Sequence, residues 1–304
     1  MEDVAVLSEL EGNLASLFDR HLQMTKEWFP HKLVPWERAA ALNFDEAWSG
    51  DRLPLPDPVR SALFVNLLTE DNLPYYFETI NRVFRSEAWD AWTRRWTAEE
   101  MRHSIVIRDY ITVSDALDPD ELERARMGQV SLGQVPQPES VADGLVYVAL
   151  QELATRISHR NTGKLLDDPA GYAVMARVGA DENLHYMLYR DLVSASLELD
   201  PSGTVCAIER QVRTFEMPGA GITGFTKHAA AIAAAEIYDL GIHHDQILVP
   251  VVLRHWKIEE LTGLNEEAEK ARDSLLNRIM RIGRIAKKRA AAKPEARAEV
   301  VAPV

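Results

Sequence analysis

The chain has 304 residues and a single cysteine, Cys206, and its 47 acidic against 34 basic residues leave a net charge of −13. An intrachain disulfide and a cysteine-based metal site are thereby excluded, and general nucleic-acid binding, which needs a basic footprint, is disfavoured. No apolar run approaches the roughly 20 residues that span a bilayer, and Met1-Glu-Asp-Val lacks the basic and apolar regions of a signal peptide, so the expectation is a cytoplasmic protein with no membrane span and no nucleic-acid partner.

Helical periods dominate and strand signals are sparse. An amphipathic helix over 3–24 is followed by a mostly irregular crossing at 28–58, rich in Pro, Gly and Asp. Helical patterns then run at 57–85, 87–116, 119–128, 141–166, 168–197, 202–215, 221–238, 243–261 and 263–292, with Gly128 to Ser140 as a loop between two halves. From about Ala290 the chain has little to bury. The expected architecture is one all-α domain over 1–290 and a disordered tail over 291–304.

The two halves carry one pattern. Glu70 precedes Glu100-Met-Arg-His103 by thirty residues, and Glu152 precedes Glu182-Asn-Leu-His185 by the same thirty. A lone Glu-x-x-His arises by chance about once in such a composition, but a repeat with matched upstream glutamates does not. Two helices giving one Glu each and two giving Glu-x-x-His form the ligand set of a carboxylate-bridged di-iron or di-manganese bundle. Each ligand also lies on an apolar stripe of steps 3 and 4, which places it on the inward face. The stripes are Trp89, Trp92, Trp96, Glu100, His103, Ile107, Tyr110; Met175, Val178, Glu182, His185, Tyr189, Leu192; Leu145, Val148, Ala149, Glu152, Thr155, His159; and Leu63, Asn66, Leu67 beside Glu70.

Buried unpaired carboxylates are very costly. Two divalent cations neutralise four glutamates, and mixed carboxylate and imidazole ligands suit iron or manganese. Pro74 has no N–H to donate to the carbonyl of Glu70, four residues back, which predicts a kink beside that ligand.

The local sequence resembles the soluble acyl-acyl-carrier-protein desaturases, the actinobacterial type in particular. The resemblance rests on Leu-Thr-Glu70-Asp-Asn-Leu-Pro74-Tyr, Trp-Thr-Ala-Glu-Glu100-Met-Arg-His103, Gln-Glu152-Leu-Ala-Thr155-Arg-Ile-Ser-His159-Arg-Asn-Thr and Ala-Asp181-Glu182-Asn-Leu-His185, and runs from about Trp28 to Trp256. It implies a ferritin-like bundle enlarged with extra helices, usually a homodimer, with two Fe ions. The implied activity inserts a cis double bond into a fatty acyl chain on acyl carrier protein, with O₂ as oxidant and ferredoxin as electron donor.

By the same resemblance Glu70 and His103 are terminal ligands of one iron, Glu152 and His185 of the other, and Glu100 and Glu182 bridge. Thr155 resembles the family threonine beside the oxygen-binding face. Asp181 resembles the aspartate that holds a ligand histidine, here His103, and Trp28 the tryptophan that passes electrons inward through it. Leu184 and Met101 depart from the family pattern, standing where a basic residue and an Asn are frequent.

That activity requires a deep apolar groove, expected from Tyr75–Phe77, Met101, Ile105, Met187 and the helix near Met217-Pro-Gly. An acidic carrier needs a local basic patch, with candidates Arg254 and Lys257, or Arg278, Arg281, Arg284, Lys287 and Lys288. The competing readings are another dimetal oxidase, such as an acyl hydroxylase, or a catalytically silent metal-binding bundle.

Overall fold

A computed structural model describes residues 3–83, 86–133, 135, 137–219 and 221–292, and among these there is no strand. The helices are α1 (Asp3–Met24), α2 (Pro30–Leu33), α3 (Asp57–Glu70), α4 (Leu73–Val83), α5 (Glu87–Val113), α6 (Pro119–Leu132), α7 (Val141–Leu165), α8 (Pro169–Leu199), α9 (Pro201–Thr214), α10 (Phe225–Ala234), α11 (Leu240–His243) and α12 (Glu266–Ala292). A 3₁₀ turn spans Trp36–Ala41, a π-helical segment His244–His255, and a second 3₁₀ turn Ile258–Glu260. Of the expected tail, Ala291 and Ala292 complete α12, and residues 293–304 lie outside the described residues.

The long helices start where the sequence supplies a cap. Ser86 Oγ accepts from Trp89 N at 3.2 Å, and Ser140 Oγ accepts from Asp143 N at 3.1 Å. Such side chains satisfy amide groups that the first helical turn leaves unpaired. The single helix expected over 57–85 is instead two: α3 stops at Glu70, Asp71 and Asn72 turn the chain, and α4 starts at Leu73. Pro74 explains the break. Its ring clashes with a carbonyl four residues back, while the first turn of a new helix accepts it without loss.

Two buried apolar clusters organise the bundle. One joins Trp89, Trp92 and Trp96 of α5 to Leu188, Tyr189 and Leu192 of α8 and to most of the buried face of α7. The other joins Val106, Ile107 and Tyr110 of α5 to Val174, Met175 and Val178 of α8 and to the face of α3. Both α5 and α8 therefore pass from one core to the other, and the stretch between on each is the one that carries Glu-x-x-His. Glycine also permits close approach of helices to α8: a Cβ on Gly163 would fall 2.9 Å from Met175 Cβ, and one on Gly171 2.6 Å from Tyr110 Cζ. A missing side chain lets α7 and α5 come this close to α8.

Asp168 ties three elements together at this end. It caps α8 through Ala170 N (3.3 Å) and Gly171 N (3.4 Å), accepts from Arg38 Nη1 and Nη2 (both 2.9 Å), and accepts from the Tyr110 hydroxyl (2.9 Å). The Arg38 bonds hold its carboxyl at about 2, below the ordinary 3.8. A depressed acid stabilises the fold above its unfolded value, and that stabilisation is lost as pH falls through the folded one, so this contribution fades between about pH 4 and pH 2. Losing the cap and the charged bonds together is expected to cost about 3 kcal/mol in Asp168→Ala. Urea unfolding at pH 7 measures it; a cost under about 1 kcal/mol would contradict this account.

Candidate metal centre

Glu70 stands at the last residue of α3, Glu100 and His103 at the middle of α5, Glu152 at the middle of α7, and Glu182 and His185 at the middle of α8. All six are buried, the two histidines completely. They form two groups of four: Glu70, Glu100, His103 and Glu182, and Glu100, Glu152, Glu182 and His185. Within each group one donor atom per residue lies within 4.8 Å of the others, and Glu100 and Glu182 belong to both. His185 Nδ1 is 2.8 Å from Glu100 Oε1 and 3.6 Å from Glu152 Oε2; His103 Nδ1 is 3.4 Å from both Glu100 Oε2 and Glu182 Oε1 and 3.8 Å from Glu70 Oε2.

The outer faces of the ligands are satisfied and the inner faces are not. His103 Nε2 points to Asp181 Oδ2 (3.4 Å), and His185 Nε2 to Glu99 Oε2 (3.0 Å). His159 Nε2 lies 3.2 Å from Glu70 Oε1, and Trp96 Nε1 donates to Glu152 Oε1 at 3.1 Å. Left buried without a hydrogen-bond partner are His103 Nδ1, His185 Nδ1, Glu100 Oε1, Glu152 Oε2 and Glu182 Oε2, all turned to the shared centre. With each Nε2 donating outward, each Nδ1 lone pair faces carboxylates, an arrangement that cations resolve. The residues thus fit a pair of divalent cations by number, type and orientation.

The electrostatics carry the same signature. Burial pushes the Glu70 carboxyl up to about 7. Burial, together with Glu100 and Glu152, pushes Glu182 well above the usual carboxylate range. Burial alone would raise Glu100 as well, but His103 and His185 beside it hold it below its ordinary value. Against the effect of burial, the surrounding carboxylates draw both histidines well above theirs. Without cations the cluster retains protons, because four buried carboxylates cannot all ionise together.

Asp181 and Trp28 stand together at the His103 end of the cluster. Trp28 Nε1 donates to Asp181 Oδ2 at 2.8 Å, and Arg102 Nη2 reaches the same oxygen at 3.3 Å; Arg177 binds the other. The Thr155 hydroxyl donates back to its own helix, to the carbonyls of Gln151 (3.2 Å) and Glu152 (3.0 Å), while its side chain faces the centre. The sequence reading missed Glu99, His21, Trp96 and His159 as outer partners. A signal existed for Glu99, which directly precedes Glu100 just as Asp181 precedes Glu182.

Three cavities meet at Tyr76. The smallest is lined by Glu70, Trp96, Glu100, Thr155 and Glu182. A second is walled by Thr79, Ile80, Trp89, Leu145, Val148 and Tyr189. A third, wider and more polar, opens beside Gln211, Thr214, Met217 and Gly219. Of the expected groove walls, Tyr76 and Met217 line these cavities. Met101 and Ile105 are not walls: they are 54% and 42% exposed on the outer face of α5. Met101 follows Glu100 by one residue and Ile105 follows His103 by two, about 100° and 200° around the helix from those ligands. Tyr75 instead donates to Val130 O at 2.7 Å, and Met187 packs beside Asn183.

A family model described as fatty acid desaturase matches residues 2–302. A Mycobacterium tuberculosis protein named as an acyl-[acyl-carrier-protein] desaturase, DesA1, is 40% identical over 287 residues, covering 90% of this chain and 84% of its own. The chloroplastic stearoyl-[acyl-carrier-protein] 9-desaturase 6 of Arabidopsis thaliana is 34% identical over 251 residues, covering 76% of this chain and 63% of its own. Among solved structures, that of the M. tuberculosis acyl-ACP desaturase homologue DesA2 superposes with a TM-score of 0.71 at 25% identity, covering 88% of this chain and 99% of that one. With a family model running nearly end to end and a 40% identical relative matched along nine-tenths of this chain, the chain belongs to the fatty acid desaturase family.

Proposed function

We propose that this protein introduces a cis double bond into a fatty acyl chain carried on acyl carrier protein, using two iron ions held by Glu70, Glu100, His103, Glu152, Glu182 and His185. The observation that carries the reading is the pair of four-residue groups sharing Glu100 and Glu182, buried beside an apolar cavity with Tyr76 as common wall. Glu70 and His103 would hold one ion, Glu152 and His185 the other, and Glu100 and Glu182, which belong to both groups, would serve both. When bound, the irons activate O₂ toward an unactivated methylene pair; manganese suits the same donors. Overall, two hydrogens leave neighbouring carbons, ferredoxin supplies two electrons, and O₂ with two further protons leaves as two waters.

The protein's own part is placement and exclusion of water. Ile80, Trp89, Leu145 and Val148 offer an apolar wall to the acyl chain, and Tyr76 stands where that chain passes the centre. Asp181 and Glu99 fix the histidine tautomers, so that Nδ1 faces inward. The contiguous bonding of Trp28 to Asp181 and of Asp181 to His103 supports electron entry along that line. Thr155 borders the cavity that faces the shared glutamates, which suits a role beside bound O₂.

A homodimer in the cytoplasm is the proposed working form; among the described residues no helix is long and apolar enough to cross a membrane. Carrier docking is proposed on α12, where Arg281, Arg284, Lys287 and Lys288 are exposed, rather than at Lys257, which pairs with Glu260 at 3.7 Å. Binding of acyl carrier protein should then weaken as salt rises, and salt-independent binding would remove this docking site from consideration. The central test is mass spectrometry of acyl-carrier products after incubation with Fe(II), ferredoxin, its reductase and O₂. A product two mass units lighter is expected, and an alcohol or unchanged substrate would overturn the reading.

A further inference from the structure

We propose that His21, acting through Glu99, is a positioning residue for the metal on the His185 side of the centre; the inference rests on the ligand set proposed above. The two ligand histidines are held by matched devices. On one side His103 Nε2 faces Asp181 Oδ2 at 3.4 Å, and Trp28 donates to that same oxygen at 2.8 Å. The Trp28 ring lies nearly parallel to the His103 ring, 17° apart in plane and 6.5 Å between centroids. On the other side His185 Nε2 faces Glu99 Oε2 at 3.0 Å, and His21 Nε2 donates to that same oxygen at 2.9 Å. The His21 ring lies 21° and 5.8 Å from the His185 ring.

The correspondence extends to the chain. Asp181 and Glu99 each immediately precede a shared glutamate, and each holds the histidine of the opposite helix. His21 and Trp28 are seven residues apart, in the last turn of α1 and just beyond it, so one stretch of chain closes both outer ends of the centre.

The physical argument is one of burial. Glu99 is 2% exposed and His21 4% exposed, with the Trp92 and His21 rings nearly perpendicular and 5.0 Å apart between centroids. The other Glu99 oxygen is taken by Arg95 at 2.6 Å. Water has no ready access to replace His21, so without it Glu99 Oε2 keeps only the His185 bond and the carboxylate is free to swing toward Arg95. His185 then loses the partner that fixes its tautomer and ring angle. Outer partners of this kind are worth about 10–100-fold in metal affinity.

The experiment is anaerobic calorimetric titration of metal-free protein with Fe(II) alone, with helical circular dichroism as the check on folding. Wild type is expected to take up two Fe(II). His21→Phe keeps a ring and removes the donor; it should bind one Fe(II) at wild-type affinity and the second about 10–100-fold more weakly. His21→Gln, which retains an N–H donor, should recover most of that loss. In a His103→Ala background, where the His185 side alone remains intact, His21→Phe should weaken the remaining Fe(II). Two Fe(II) at wild-type affinity in His21→Phe would overturn the positioning role and leave the ligand set standing. Fewer than two Fe(II) in wild type would overturn both. A His21→Gln variant no better than His21→Phe would overturn the hydrogen bond as the cause.

Discussion

Glu182→Gln is expected to abolish desaturation, with turnover reduced by at least about 100-fold and both metals bound more weakly. Glu182 belongs to both four-residue groups, so one substitution touches both cation positions. Glutamine keeps the volume and one carbonyl oxygen but removes the charge, leaving three carboxylates against two dications in a buried space, where such an imbalance is costly. Glu70→Gln offers the contrast, because Glu70 belongs to one group only; the ion beside His185 should remain. The metal-free Glu182→Gln protein should unfold no more easily than metal-free wild type. Burial and the neighbouring glutamates already oppose ionisation of Glu182, and a neutral amide relieves that opposition. Iron stoichiometry, product mass spectrometry and thermal unfolding together decide the matter. Turnover within a few-fold of wild type would remove Glu182 from the ligand set.

The second large effect separates the acyl site from the metal site. Thr79 is a half-buried wall of the apolar cavity, and its hydroxyl accepts from Gln137 Nε2 at 3.0 Å. Thr79→Trp places an indole in the space assigned to the acyl chain. Turnover of acyl carrier substrates should fall by about 100-fold, as expected when a substrate is displaced from its productive position by an ångström or more. Thr79 is not among the residues grouped around the centre, so Fe(II) stoichiometry should be unchanged. Full activity in Thr79→Trp would place the acyl chain elsewhere, and loss of iron would show that the cavity and the centre are not separable.

The helices that carry the centre were legible because their signal is local. Steps of 3 and 4 put Trp96, Glu100, His103 and Ile107 on one face of α5 whatever that helix packs against, and all four are buried. The break at Asp71 and Asn72 was half legible. Pro74 announced a disturbance, but a kink and a full stop share one sequence signature, and the packing of α4 decides between them. Met101 and Ile105 show the opposite failure. Their chemistry suited a groove, but their phase on α5 turns them outward, and phase outweighs residue type on a helix.

By itself the sequence determined an all-helical chain, the six residues that the bundle gathers at its middle, and the family to which the chain belongs. Repetition, helical period and extended motifs are written along the chain and need no partner. Tertiary structure alone decided which outer groups hold those six: Glu99 for His185, His159 for Glu70, Trp96 for Glu152, and His21 behind Glu99. These contacts join residues 56 to 89 positions apart, set by how α1, α3, α5, α7 and α8 cross. No periodicity within one helix specifies the residue that a neighbouring helix brings against it. The cavities around Tyr76 are likewise a product of crossing, because empty space between helices has no sequence of its own.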